Sequence, residues 1–438
     1  MAQPKTDFPW PRLGDTAGPA MVVRPLSGPE VSRDSPKSRS KLRAAAATNS
    51  RLSRAAFTAR RTVVTFDVAV VGLGVMGSSS ARALAIRGAR VVAFDQFAPP
   101  HTMGSSHGQS RIIREAYYEH PLYVPLVQRA YELWNELERE TDSQLLLRTG
   151  GLMGGAETGT LVRGALKSAR THGIAHEILD ATAVEQRFPA YRPSRAWIAV
   201  FERRAGMLFP ERCIEAAMHS ARQHGATLHL NTRVTSWKAN GRTVTVQTSN
   251  GSYDAKQLVV AAGSWLPGLS DYVGMTIPLE IERQLSHWFE PTQPNDSRYR
   301  AASCPVALWD AGDDVFATLP DVGAGVKCGM HHAGVPTSPE DVDRVVSPAE
   351  NEAARGLLND IMPGAGGRLL DSRVCLYTNT PDRHFIVDWA VLGRVLIVSP
   401  CSGHGFKFAT AIGEVVSQLI LDGRSWLDLK PFSLDRFK

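Results

Sequence analysis

A chain of 438 residues, 43% hydrophobic and 21% charged, is long enough to bury a large core and to build two or three domains. No apolar run approaches the ~18 residues of a membrane helix, and the five cysteines (Cys213, Cys304, Cys328, Cys375, Cys401) are scattered, which argues against a zinc site and a disulfide framework and fits a reducing compartment. The net charge of +6 sits at one end: residues 1–64 carry +8 and the remainder −2, so the folded body gives no reason to expect nucleic acid as a partner.

Residues 1–64 are rich in Pro, Gly, Ser, Arg and Ala without a sustained apolar period, so a disordered basic extension is expected there. From Ser35 to Val64 there is no acid, as in mitochondrial transit peptides. A disordered arm, or an untranslated or mis-started upstream stretch, explains the composition as well and is preferred. Arg60-Arg61 before an apolar run mimics a twin-arginine signal. That run contains Asp67 and reads as a strand, so export is rejected, no membrane is involved and a cytoplasmic protein is expected.

Phe66 to Val71 is a buried strand by composition, and Gly72, Gly74 and Gly77 follow it at G-x-G-x-x-G spacing. A helix is expected from Met76 to Arg87, stopped by Gly88, and then a second strand from Arg90 to Phe94 that ends on Asp95. Gly72 permits the tight turn, Gly74 lets backbone approach a pyrophosphate, and Gly77 lets helix and strand pack closely. The helix N-terminus faces the phosphates and Asp95 accepts a ribose hydroxyl. This is a dinucleotide-binding βαβ unit; the motif alone leaves FAD and NAD open.

Residues 97–120 form a loop rich in Pro, Gly and Ser, in which Arg111 and Arg114, three apart, share one face of a helical turn. An amphipathic helix follows over 121–140, a strand with turns over 149–155, then helix, strand and helix over 157–187. Residues 206–234 hold a Pro-started helix, Gly225 and a strand, a second crossover back to the nucleotide sheet. Residues 241–262 alternate as a hairpin running into LVVAAGSW (258–265). Residues 278–334 change to short alternating segments broken by Pro and Gly, an antiparallel sheet distinct from the βαβ body. Helices are expected over 348–362 and from Phe406 to Leu421, the second opened by a glycine-rich turn suited to close cofactor approach.

GLGVMG with Asp95, GSSHGQSRIIR (104–114), AAGSW (261–265), GVKCGMHH (325–332), CLYTNTPDRHFIVD (375–388) and CSGHGFKF (401–408) occur in that order. Together they resemble the monomeric sarcosine oxidase and N-methyltryptophan oxidase family of flavoenzymes, in the D-amino-acid oxidase superfamily, over about residues 65–430. The resemblance implies an α/β fold: a Rossmann-like FAD-binding domain over 65–150, 205–278 and 382–438, plus an antiparallel-sheet substrate domain (α+β) over 151–204 and 279–381. It implies FAD, linked through Cys375. It also implies a monomer that oxidises a small secondary-amine amino acid, sarcosine or N-methyl-L-tryptophan, with molecular oxygen, giving the amino acid, formaldehyde and hydrogen peroxide.

By the same resemblance, Arg114 and Lys407 hold the substrate carboxylate, a task suited to a guanidinium fork and an ammonium. Lys327 is the cation that favours oxygen reduction; Arg111 stands by the flavin, and His331, Tyr377, His404 and His107 line the cavity. Gly72, Gly74, Gly77, Asp95, Ser105, His107, Arg111, Val234, Gly263, Cys375, Gly403, Gly405 and Lys407 are the expected cofactor contacts; no metal is expected. The chain departs from the pattern at Ser106, Gln109 and Arg383, at Met330 where an aromatic is common, and at Phe316 or Ala317 where a cavity tyrosine is expected. These changes bear on the substrate, not the flavin. An L-pipecolate or fructosyl-amino-acid oxidase, or a flavin dehydrogenase using another acceptor, is the alternative. An NAD(P)-dependent dehydrogenase would leave AAGSW and SGHGFKF without a task.

Overall fold

Thr65–Val71 and Val91–Phe94 lie side by side as parallel strands, joined by the helix Val75–Ile86. They belong to a computed structural model that describes residues 65–438 except 275, 313, 391 and 392; the extension expected over 1–64 lies outside the described residues. Val91–Phe94 is buried at every position, the mark of a parallel strand covered on both faces. On one face Val68, Val70, Val91 and Ala93 join a core with Leu84, Ile214 and Val415 from three helices. On the other, Ala69, Val71, Val92 and Phe94 pack with Trp237, Leu258 and Leu434.

The first sheet has eight strands among the described residues. Thr227–His229 joins beyond Val91–Phe94, in parallel, after the helix Pro210–Gln223, so the expected second crossover is present. Gly251–Val260 lies parallel on the other side of the first strand. Its first half pairs with Val244–Thr248, which continues to Val234–Ala239. Its last three residues pair with Val395–Ser399, again in parallel. The closing helix, Ala409–Asp422, lies on the first helix so tightly that a Cβ on Gly413 would stand 2.5 Å from the Ser79 carbonyl oxygen. It begins three residues later than expected, because Phe406–Phe408 is a single 3₁₀ turn.

Among the described residues the second sheet has nine strands, with Glu280–Phe289 between Val326–His331 and the long strand Leu369–Asn379. Its pairings are antiparallel apart from Val306–Ala311 against Gly151–Gly155, which is parallel. After Gly155 the chain adds Glu177–Asp180 and Ile198–Glu202 to this sheet, passes through the first sheet, and comes back by way of Glu280–Phe289 before Val306–Ala311 settles beside Gly151–Gly155; a parallel neighbour needs such a long crossover.

A third, three-stranded sheet corrects one expectation. Arg111–Ile113 is a strand, not a helical turn, and pairs with Gly206–Leu208, which also pairs with Leu146–Arg148. Ile112 and Ile113 are β-branched and fit a pleated, half-buried surface better than a helix. Arg111 and Arg114 therefore do not share a helical face.

Candidate active site

A cavity of about 600 Å³ opens between the carboxyl ends of the first sheet's parallel strands and one face of the second sheet. Gly72, Gly74, Asp95, Ser105, Arg111, Arg114, Val234, Gly263, Lys327, His331, Cys375, Tyr377, Gly403, His404, Gly405 and Lys407 all line it. Two expected residues stand behind the wall. Gly77 is the point where the first helix meets the turn: a Cβ there would sit 1.7 Å from the Gly72 carbonyl oxygen. His107 is buried, and among the described residues neither ring nitrogen has a hydrogen-bond partner of ordinary geometry. Burial, with Arg111 and Lys327 nearby, pushes its pKa down to about 3, so the ring is neutral.

Gly72 has φ +91 and its turn leads into a helix whose first residues carry no acid, so the helix N-terminus is open to an anion. Asp95 is buried and accepts the Leu73 N–H at 2.7 Å and the Phe97 N–H at 2.8 Å, which ties the end of the second strand to the glycine turn. Each oxygen keeps a lone pair for a ribose hydroxyl. Helix N-terminus, glycine cradle and aimed carboxylate all fit FAD.

The loop 104–110 carries the next group. Glu211, in the first turn of its helix, accepts the Gly108 and Gln109 N–H groups at 2.8 and 3.1 Å, and both residues have positive φ. The turn aims the Gly108 and Ser110 carbonyls at Lys327 Nζ, which donates to them at 2.7 and 2.9 Å. Burial and Arg111 hold the Lys327 pKa well below its ordinary value. Arg111 donates to the Ser105 carbonyl at 3.0 Å and lies 3.6 Å from the Cys375 sulfur, so Arg111, Cys375 and Ser105 form one cluster.

A second cluster surrounds Arg114. Its guanidinium is buried, lies 4.4 Å over the Tyr117 ring and 4.7 Å from that of Tyr118, and its Nη2 donates to both Glu119 carboxylate oxygens at 2.9 and 2.7 Å. Burial pushes the Glu119 carboxyl up, but Arg114, His404 and Lys407 more than offset this and hold it below its usual value. Lys407 donates to the His404 carbonyl at 2.7 Å and to the Tyr117 hydroxyl at 3.3 Å; burial and Arg114 push it down to about 7. Tyr117 also bonds His404 Nδ1 at 2.7 Å. His331 meets the Tyr377 hydroxyl at 3.0 Å and both lie against Gly403, where a Cβ would clash with each. Burial and His332 hold His331 neutral.

Glu119 and Tyr117 were not expected. In the irregular stretch R-E-A-Y-Y-E-H, an acid five places after an arginine carries no spacing signal. The doubtful cavity position resolves on its strand: Ala317 lines the cavity and Phe316 points into the second sheet's core. Among the described residues no cluster of His, Cys, Asp and Glu could hold a metal, and no helix is long and apolar enough to cross a membrane.

The FAD dependent oxidoreductase family matches residues 67–419. A monomeric sarcosine oxidase of Streptomyces avermitilis is 38% identical over 365 residues, covering 82% of this chain and 94% of that protein. An N-methyl-L-tryptophan oxidase of Salmonella dublin is 32% identical over 378 residues, covering 85% and 99%. Among solved structures, NikD, an unusual amino acid oxidase of nikkomycin biosynthesis, superposes with a TM-score of 0.73 at 22% identity, covering 84% of this chain and 97% of NikD. Glycine oxidase from Geobacillus kaustophilus does so at 0.71 and 19%, covering 84% and 98%. These two structures carry the fold alone.

Proposed function

Since this chain belongs to the family of FAD-dependent oxidoreductases, we propose that it oxidatively demethylates an N-methyl amino acid, with molecular oxygen as terminal acceptor. The observation that carries this is the convergence of two buried cations, Arg114 and Lys407, on the cavity that the glycine turn and Cys375 also line. Bound FAD supplies the acceptor for a hydride from the carbon beside nitrogen. Loss of two electrons and two protons turns the amine into an imine; water then releases formaldehyde and the primary amine. Dioxygen takes up the two electrons and two protons as hydrogen peroxide.

The chain's own part is to hold and to orient. Arg114 offers a bidentate fork to the substrate carboxylate and Lys407 a point charge. A carboxylate reaching Arg114 meets Glu119 already there, so substrate exchanges with or shares an internal anion. The neutral His331 and the Tyr377 hydroxyl accept from a secondary amine without competing for its proton. Lys327 is the cation we assign to oxygen reduction, and Cys375, beside Arg111, to the covalent link with FAD. Ala317 and Met330 leave more room in the wall than aromatic side chains, which supports a substrate nearer N-methyl-L-tryptophan than sarcosine in size. A monomer in the cytoplasm is the accompanying expectation.

The test is acid precipitation of purified protein. Yellow flavin should stay with the pellet and leave it in Cys375→Ala. A peroxide assay over sarcosine, N-methyl-L-tryptophan and L-pipecolate then separates the substrates. Flavin in the wild-type supernatant would refute the covalent link, and absence of peroxide with every amine would refute the reaction.

A further inference from the structure

Arg114 and Tyr117 project from residues 114–119, a segment in neither helix nor strand. Connecting segments usually run over the surface and are mobile, yet residues 114–117 are buried and gripped from behind. Glu202 closes the strand Ile198–Glu202 and is 1% exposed. Its carboxylate accepts the Glu115 N–H at 2.9 Å and the Ala116 N–H at 2.7 Å. The Ala116 carbonyl in turn accepts Arg114 Nη1 at 3.2 Å. The helix Thr160–His172 presses on the next two residues: Ser168 donates to the Tyr117 carbonyl, and a Cβ on Gly164 would lie 2.1 Å from the Tyr118 carbonyl oxygen.

We propose that Glu202 is a positioning residue of the carboxylate site, which by taking the Glu115 and Ala116 N–H groups fixes the backbone from which Arg114 reaches the cavity. This rests on the reading of Arg114 and Lys407 as the carboxylate clamp. The anionic form grips harder, because hydrogen bonds to a charged acceptor are about twice as strong as neutral ones, and a protonated acid must turn one oxygen into a donor. Burial, opposed by the Ala116 and Glu115 N–H groups, holds the Glu202 carboxyl up at about 7. Both forms are therefore populated near neutral pH.

The other charges facing Glu202 are few. Glu115 raises its pKa and Arg114 lowers it. Glu115 spends its own charge on Arg204, at 2.9 Å, and on Gln128, at 3.1 Å. Tyr131, from the helix Val124–Thr141, is buried close enough for its hydroxyl to be held neutral, by burial and then by the charges of Glu202 and Glu115. As pH rises through about 7, Glu202 ionises, the segment tightens and carboxylate binding strengthens. Lys407 titrates in the same window with the opposite sign and is common to wild type and to a Glu202 variant, so their ratio isolates Glu202.

The experiment compares flavin-loaded wild type with Glu202→Gln, an isostere that keeps one acceptor oxygen. Acetate, a carboxylate without an amine, is titrated from pH 6 to 8.5 by its perturbation of the flavin spectrum. Backbone amide exchange is followed over 114–119 in both proteins. The variant-to-wild-type ratio of acetate dissociation constants should be near one at pH 6 and rise to about fivefold or more at pH 8.5, the loss of a charge-assisted contact. In wild type alone, protection of the Glu115 and Ala116 amides, corrected for intrinsic exchange, should increase over the same range. A ratio flat with pH, or protection that is unchanged or falls as Glu202 ionises, overturns the proposal; falling protection would mean that the buried charge pries the segment open. If neither protein binds acetate and no amine yields peroxide while protection still follows Glu202, the anchor stands and the amine-oxidase reading fails.

Discussion

Arg114 shows how much of this site is decided at single residues. Removing its side chain as Arg114→Ala takes away the fork and leaves Glu119 half-enclosed beside two aromatic rings without its partner. A charge-assisted hydrogen bond is worth ~1.5–3 kcal/mol, so KM for the amino acid is expected to rise roughly 10- to 100-fold in a peroxide assay; an unchanged KM would remove Arg114 from the carboxylate site. Lys327 bears on a different half of the reaction. With Lys327→Met, anaerobic bleaching of the flavin by substrate should persist while oxygen consumption falls by a factor on the order of 100; equal oxygen electrode rates would defeat that assignment. Arg114 and Lys407 were legible because each sits in a distinctive motif. Glu119 and Glu202 were not: one lies in an irregular stretch, and the other reaches the loop across 87 positions of sequence.

At the scale of elements, the strand–turn–helix at 65–86 could be read outright because its signals are local: a β-branched run, three spaced glycines, a helical period. The same locality makes it fragile. Gly77→Ala puts a methyl where the Gly72 carbonyl stands, with backbone on both sides and no rotamer to yield. The variant is expected to lose FAD and much of its soluble yield, checked by the flavin-to-protein absorbance ratio; normal loading would show that the turn can shift. Arg111–Ile113 was misread for the converse reason. Spacing of three suggests a helix, and only the partner strand Gly206–Leu208, distant in sequence, makes it an edge to pair with. The parallel pairing of Gly151–Gly155 with Val306–Ala311 was equally out of reach, since no period in either strand records its neighbour's direction.

Over the whole molecule, class and order of elements followed from the alternation of βαβ units with short alternating strands, and the position of the cavity between the two sheets did not. One pH effect belongs at this scale. Glu202 has its pKa raised from the ordinary 4.5 to about 7, chiefly by burial. Between those values the folded protein holds a proton that the unfolded chain releases, so folding stability falls as pH rises from 4.5 to 7. The thermal midpoint of Glu202→Gln should lack this component, and parallel melting curves for wild type and variant over that range would contradict it. The ion that tightens the loop thus costs the fold some of its stability.

The contact between Gly413 and Ser79 has a consequence for synthesis. The first helix leaves the ribosome long before the helix that covers it, and long before the strand Val395–Ser399 that joins Gly251–Val260. Long-range parallel pairing of this kind is slow and leaves apolar surface open in the meantime. While the intervening chain is made, the nucleotide half therefore waits, uncovered, for the helix Ala409–Asp422. A chain stopped before Ala409 should be insoluble and colourless, and a soluble yellow fragment would show that the early part closes by itself. Nonsense mutations just before Ala409 should then be as damaging as those near the first helix, and the nascent chain is a natural client for chaperones that shield apolar faces.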